Sequence, residues 1–147
     1  MIGESLKERT FTLIKPECVG NHHIGDIIQR IEKAGFHIMA MRMLQLKQSE
    51  AEQFYLVHKG KPFYGELVEY MSSGKIVALA LEKENCVEDF RKFIGATNPR
   101  DAAPGTIRKD FGTNIQNNCV HASDSLENAR REIAFFFSEL EIITNNS

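Results

Sequence analysis

The sequence predicts an α/β (α+β) fold in which helices pack on one antiparallel sheet, and two features of the 147-residue chain lead to that reading. Short apolar stretches of strand character alternate along the chain with segments whose apolar residues recur at the i, i+3, i+4, i+7 spacing of a helix. With 42% hydrophobic residues, the chain also suits one compact domain over residues 1–147 with a core of its own. Residues 1–8 precede the first apolar stretch and are expected to form a disordered or extended N-terminus.

Thr10 to Lys15 reads as a short strand ended by Pro16, which has no N–H for a ladder. Ile24, Ile27, Ile28 and Ile31 mark a helix that Gly35 closes. Phe36, Ile38, Ala40, Leu44 and Leu46 then alternate with their neighbours in the period of a strand, with Arg42 interrupting the apolar face. Ser49 is placed to N-cap a helix through about Lys59, and Pro62 to open another that lasts to Ser72-Ser73-Gly74; the two form a helical hairpin. Lys75 to Leu81 is a nearly continuous apolar strand, and Val87, Phe90, Phe93 and Ile94 mark a helix ended by Gly95. From Gly95 to about Asn117 no periodicity is visible, and the Gly, Pro, Asn and Asp content with embedded charges points to an ordered binding loop. Asn118 to Ala122 is a short strand, and Asp124 with Glu127 forms a capping box for a helix carrying Leu126, Ala129, Ile133, Phe136, Phe137 and Leu140. The order β-α-β-(α-α)-β-α-loop-β-α contains a split βαβ unit, and so gives a ferredoxin-like βαββαβ sandwich with additional helices and a long loop.

Composition excludes several classes. The 18 basic and 20 acidic residues are mixed along the chain, so no basic tract marks a dedicated nucleic-acid surface. Cys18, Cys86 and Cys119 are odd in number, far apart and without a C-x-x-C pair, which argues against a disulfide framework or a zinc site and for a reducing, cytoplasmic compartment. The apolar stretch FTLI is too short for a signal peptide or membrane span.

The chemistry concentrates in Asn118-Cys119-Val120-His121-Ala122-Ser123-Asp124-Ser125. It sets a histidine at the end of a strand and directly before a helix N-terminus, where free N–H groups and the helix dipole attract anions. An imidazole is largely deprotonated near neutral pH and is a competent nucleophile there. Glu132, at the edge of the apolar stripe of the next helix, needs a polar partner, which His121 or Ser123 could supply. Read alone, these residues favour an ordinary hydrogen-bonded histidine at His121 and a plain helix cap at Ser123-Asp124-Ser125, and Cys119-x-His121 lacks the companion pair a metal site requires.

Asn118 to Ser125 matches in full the signature N-x-x-H-[GA]-S-D-S, and TLIKPE (Thr12 to Glu17), HKGKPFY (His58 to Tyr64), GATNP (Gly95 to Pro99) and PGTIRKDF (Pro104 to Phe111) extend the match over nearly the whole chain. In these segments the sequence resembles the nucleoside diphosphate kinase family. The resemblance implies an enzyme that passes the γ-phosphate of a nucleoside triphosphate, typically ATP, to a nucleoside diphosphate by a ping-pong route through a phosphohistidine on His121. It implies phosphate binding by Lys15, Tyr55, His58, Arg91, Thr97 and Arg108, and ribose binding by Lys15 and Asn118. The base would stack on Phe63 with Leu67 near it, Glu132 would orient the histidine, and Ser123 would join the catalytic set. Mg²⁺ would be held mainly through the nucleotide phosphates, with Asp124 at most a water-mediated contact and no metal site of the protein's own. Assembly as a homo-hexamer or homo-tetramer is implied as well. Lys109 departs from the small residue usual beside Arg108. Residue by residue the plainer alternatives are solvated charges at Lys15 and Arg91, core at Phe63 and Leu67, a helix-surface pair at Tyr55 and His58, and ordinary loop residues at Thr97 and Arg108. A non-catalytic nucleotide-binding or regulatory protein on the same fold is the alternative for the whole chain, although the match loses none of His121, Lys15 or the arginines.

Overall fold

A computed structural model describes residues 7–143. Its four strands are β1 (Lys7–Ile14), β2 (His37–Leu44), β3 (Ile76–Glu84) and β4 (Val120–Ala122), and they form one sheet in the order β2-β3-β1-β4. Every neighbouring pair is antiparallel. The helices are α1 (Pro16–Gly20), α2 (Ile24–Lys33), α3 (Gln48–Phe54), α4 (Tyr64–Met71), α5 (Cys86–Ile94), α6 (Ile107–Phe111) and α7 (Leu126–Phe136), and the architecture is the ferredoxin-like sandwich with additional helices.

Period-two alternation sorts the sheet residues into two cores. Phe11, Leu13, Ile76, Ala78 and Ala80 face α3, α4 and α7, where they meet Phe54, Val68, Met71, Ile133 and Phe136. Ile14, Val77, Leu79, Leu81, Val120 and Ala122 face the other way, towards Ile27 and Ile31 of α2, Phe90 and Ile94 of α5, and Ile107 of α6. β3 is covered on both faces, which explains its unbroken apolar run. His121 lies between Val120 and Ala122 and so points to the first core, opposite Leu13 of β1. The stack of Phe11 on Phe136, with centroids 5.0 Å apart and planes 13° from parallel, fixes α7 against β1 behind it.

Several boundaries differ from the sequence reading. β1 starts at Lys7 because Lys7 and Glu8 pair with Glu84 and Lys83, so these two residues of the expected N-terminal extension are extended strand, and residues 1–6 lie outside the described residues. Ser49 is inside α3, whose start is instead closed by Glu50 accepting the Lys47 N–H at 2.8 Å. That helix stops at Phe54, a single 3-10 turn over Leu56–His58 follows, and α4 opens at Tyr64, two residues beyond Pro62. The long loop is not free of helix: Asn98 Oδ1 accepts the Arg100 N–H at 3.0 Å to cap a 3-10 turn over Pro99–Asp101, and the Thr106 hydroxyl caps α6. Both pieces are too short to show a period. Ser125, not Asp124, caps α7 by accepting the Asn128 N–H at 3.1 Å, while Asp124 Oδ1 accepts Asn128 Nδ2 at 2.6 Å; α7 ends at Phe136, before Leu140.

Candidate active site

Glu132 is the residue around which the site is built. It lies seven positions after the Ser125 cap, two turns along α7, and therefore on the same face as the helix start that abuts β4. Its carboxylate is buried and needs donors. Oε1 accepts Ser123 Oγ–H at 2.7 Å and His121 Nε2–H at 2.8 Å, and Oε2 faces Arg131 Nη2 at 3.5 Å. The His121 ring is set among Phe11, Phe54 and Tyr55, with centroids 6.1, 5.4 and 6.1 Å away, and its side chain keeps 21% exposure. Cys119 precedes the strand at φ +78°, a strained backbone angle for a residue with a side chain, and Thr12 Oγ1 donates to the His121 carbonyl at 2.8 Å.

Cations gather around the strand that carries His121, at the Asn118 side chain and the Val120 carbonyl. Lys15 follows β1 and is only 7% exposed; its ammonium donates to Asn118 Oδ1 at 2.8 Å and to the Gln116 carbonyl at 3.2 Å. Burial, reinforced by the charge of Arg108, brings its pKa down to about 7. Asn118 Nδ2 donates in turn to the Thr97 carbonyl at 2.9 Å, so the end of β1, the loop before β4 and the loop after α5 are held as one unit. Arg108, also 7% exposed, spans from the Gly95 carbonyl at 3.2 Å (Nη1) to the Val120 carbonyl at 2.9 Å (Nη2). Its pKa falls to about 10, from burial first and then from Arg91. Arg91, Thr97, Gly95, Thr106 and Arg108 line a cleft of about 410 Å³. Gly95 is required there: at φ +96° a Cβ would stand 2.6 Å from Thr106 Oγ1.

The aromatic arm comes from the helical hairpin. Tyr55, His58 and Phe63 follow one another outwards from His121, with centroid separations of 6.4 Å for Tyr55–His58 and 5.3 Å for His58–Phe63. The Phe63 ring is 45% exposed rather than core, whereas Leu67 is half-buried and packs on the first core. His58 has its pKa lowered, by burial and then by Lys61 and His121, so it offers a neutral imidazole. Among the described residues four buried side-chain atoms lack a hydrogen-bond partner, Thr10 Oγ1, Asn117 Oδ1, the Tyr55 hydroxyl and Arg108 Nε, and the last two are on candidate phosphate-binding residues. Asp124 is exposed, its carboxyl held below the usual range by Asn128 and, less, by Arg91.

Hydrogen bonds and the cleft thus link Lys15, Asn118, Thr97, Arg91 and Arg108, one carboxylate links His121, Ser123 and Glu132, and Tyr55, His58 and Phe63 run outwards from His121, whereas Leu67 belongs to the core. Sequence reasoning missed Lys61, whose ammonium is 3.3 Å from His58 Nδ1 and 5.8 Å from the Phe63 ring centre, although HKGKPFY contains it. It also missed the carbonyls of Gly95, Gln116 and Val120, which no side-chain pattern could reveal. Lys109 donates to the Arg100 carbonyl at 3.3 Å and is not among the cleft residues. Among the described residues no cluster of three or more His, Cys, Asp or Glu is arranged to hold a metal, and no helix is long and apolar enough to cross a membrane.

Sheet, buried carboxylate–histidine pair and cation-lined cleft together define a phosphotransferase. The family model described as nucleoside diphosphate kinase matches residues 8–142, and the chain belongs to the nucleoside diphosphate kinase family, whose enzymes are kinases that use nucleotides. A nucleoside diphosphate kinase of Flavobacterium psychrophilum is 59% identical over 133 residues, 90% of this chain and 96% of that protein. Among solved structures, the Aquifex aeolicus nucleoside diphosphate kinase superposes with a TM-score of 0.91 at 43% identity, covering 94% of this chain and 100% of that one. The Halobacterium salinarum enzyme, solved in complex with CDP, gives a TM-score of 0.91 at 35% identity over 97% of this chain and 95% of its own.

Proposed function

We propose that this chain moves the γ-phosphoryl group of a nucleoside triphosphate, typically ATP, to His121 and from there to a nucleoside diphosphate. The observation that carries the reading is the 2.8 Å hydrogen bond from His121 Nε2 to buried Glu132. With Nε2–H donated to the carboxylate, the lone pair resides on Nδ1, which attacks phosphorus while the diphosphate leaves; Glu132 then stabilises the cationic ring. Lys15, Arg91 and Arg108 neutralise the equatorial oxygens, and the unpartnered Tyr55 hydroxyl and Arg108 Nε are donors suited to phosphate oxygens. Neutral His58 and Thr97 serve as hydrogen-bonding groups, and Asn118 with Lys15 takes the ribose. Mg²⁺ would be held mainly through the nucleotide phosphates and share their charge, with exposed Asp124, which feels the charge of Arg91, at most a water-mediated contact. Parallel double-reciprocal plots for ATP and a second diphosphate test the two-step route; intersecting lines reject it. A pure binding module, which would give no turnover, has no need of a carboxylate buried to orient an imidazole.

Glu132→Gln keeps the shape of the side chain but replaces the anion that holds the imidazole, so kcat is expected to fall about 10²-fold with nucleotide affinity nearly unchanged. An equal loss in binding would move Glu132 from orientation to substrate contact.

Base selectivity is expected to be slight, because the exposed Phe63 face accepts any nucleobase. Phe63→Ala should weaken adenine, guanine and pyrimidine diphosphates alike, by roughly 1–3 kcal/mol. A core role would instead cost about 3–5 kcal/mol of folding stability at unchanged affinity. Titrations with each diphosphate beside thermal melts separate the two.

For assembly the reading is a homo-hexamer or homo-tetramer: edge strand β2 exposes Met41 and Met43, the sort of apolar edge that subunit contact covers. Light scattering decides the number. Three buried free thiols suit the cytoplasm.

A further inference from the structure

α6 carries Arg108 into the site, yet its five residues are too few to hold a helix without outside contacts. Buried Ile107 ties it to the second core, and α2 supplies a further hold. Arg30 of α2 donates from Nη1 to Asp110 Oδ2 at 2.7 Å, and its guanidinium carbon lies 4.7 Å from the centre of the Phe111 ring. Its Nε donates to Asp26 Oδ1, one turn back on α2, at 2.9 Å, so one planar fork is engaged by two carboxylates and a ring. The His23 ring, just before α2, adds a contact with the Phe111 ring at 4.6 Å between centroids. α2 is a rigid base for these contacts, because Ile27 and Ile31 are fully buried in the core.

We infer that Arg30, acting on Asp110 and Phe111, is a positioning residue that holds α6 so that Arg108 meets the phosphates. None of the three lines the cleft. Asp110 and Phe111 are two and three residues beyond Arg108 on the same helix, so their position reaches Arg108 through less than one turn of backbone. The Gly95 and Val120 carbonyls hold the head of the Arg108 side chain, and the helix sets where its stem begins. That helix rests on few bonds: the Asp110 N–H donates to the Thr106 carbonyl at 3.1 Å and the Gly112 N–H to the Arg108 carbonyl at 2.9 Å. Without the hold from α2 these bonds open more often, and Arg108 loses its fixed origin.

An isolated ion pair at the surface contributes little, because water screens it and two long side chains must be ordered. Arg30 is in a different position. Its side chain is 31% exposed and that of Asp110 35%, both nitrogens that face acids are engaged, and the cation lies over an aromatic face. The pair also joins elements 80 residues apart in the chain, so it fixes tertiary placement rather than the conformation of one helix.

The role rests on the proposed phosphate binding by Arg108, and two measurements on the full-length protein keep the claims apart. Hydrogen exchange needs no nucleotide. Arg30→Met and Asp110→Asn are each expected to speed exchange in peptides covering 106–112 on the order of 10-fold, while peptides of β3 keep wild-type rates. Calorimetric titration with Mg-ADP is expected to show both variants binding on the order of 10-fold more weakly. In an Arg108→Met background the same substitutions should weaken binding further by less than about 2-fold, because residues that act through one another are not additive. Wild-type exchange at 106–112, or a rise shared equally by β3, overturns the local hold. Unchanged ADP affinity, or an equal further loss in the Arg108→Met background, overturns the action through Arg108. If Arg30→Met fails to fold, Asp110→Asn carries both measurements. If the wild type binds no ADP, the phosphotransfer reading fails instead, and exchange still decides whether Arg30 holds α6.

Discussion

His121→Ala should lose both phosphoenzyme formation and turnover, with kcat reduced roughly 10⁴- to 10⁶-fold, the range expected when a nucleophile that acts as a unit with its orienting group is removed. The wild-type protein incubated with Mg-ATP should carry a phosphate that is labile in acid and stable in alkali, as a phosphoramidate requires. Intact-mass measurement and acid treatment read this directly. The ring is held by Glu132 and by Phe11, Phe54 and Tyr55, and none of these groups can replace an imidazole lone pair. Ser123 Oγ is the nearest rival nucleophile, but it is fully buried and already donates to Glu132 at 2.7 Å. Substantial turnover in His121→Ala, or an acid-stable phosphoserine, would sink the mechanism.

Lys15→Met should abolish nucleotide binding yet change stability in a pH-dependent direction. Lys15 titrates near 7 in the fold against 10.5 unfolded, so the unfolded chain binds the extra proton throughout that window. Its burial therefore weighs against the fold fully below pH 7, and this burden lightens as pH rises from 7 towards 10.5. Between pH 6 and pH 9 the wild type should gain about 3 kcal/mol relative to Lys15→Met, the part of a shift worth 1.36 kcal/mol per unit that falls inside the interval. The variant also leaves Asn118 Oδ1 without its donor, at about 1–3 kcal/mol, but that cost does not vary with pH. Urea unfolding of both proteins at the two pH values isolates the difference. Parallel pH dependence would mean that Lys15 keeps an ordinary pKa.

The fold was readable where a period could develop. The apolar isoleucines of α2, the run of β3 and the stripe of α7 each exceed one turn or one pleat, and each appears where its spacing predicts. What failed to show were pieces shorter than a period: the 3-10 turns at Leu56–His58 and Pro99–Asp101, and α6, whose Thr106 cap gave the only local signal. Caps were misassigned for a related reason. Ser49, Asp124 and Ser125 are all competent cap residues, and only the backbone geometry decides which side chain meets an open N–H.

The sequence by itself determined the family, through Asn118 to Ser125 and the segments around it, and with it the identity of the residues that gather at the site. It determined also that Glu132, on the edge of an apolar stripe, had to find a donor. Only the tertiary structure decided that one carboxylate oxygen serves both Ser123 and His121, that Arg108 is held by two backbone carbonyls and that Phe63 is open to solvent. These depend on contacts between residues far apart in the chain, and on carbonyls that every residue carries alike. Their positions are fixed by the antiparallel register that sets His121 opposite Leu13, and by the packing of α7 on Phe11, which no local pattern of side chains encodes.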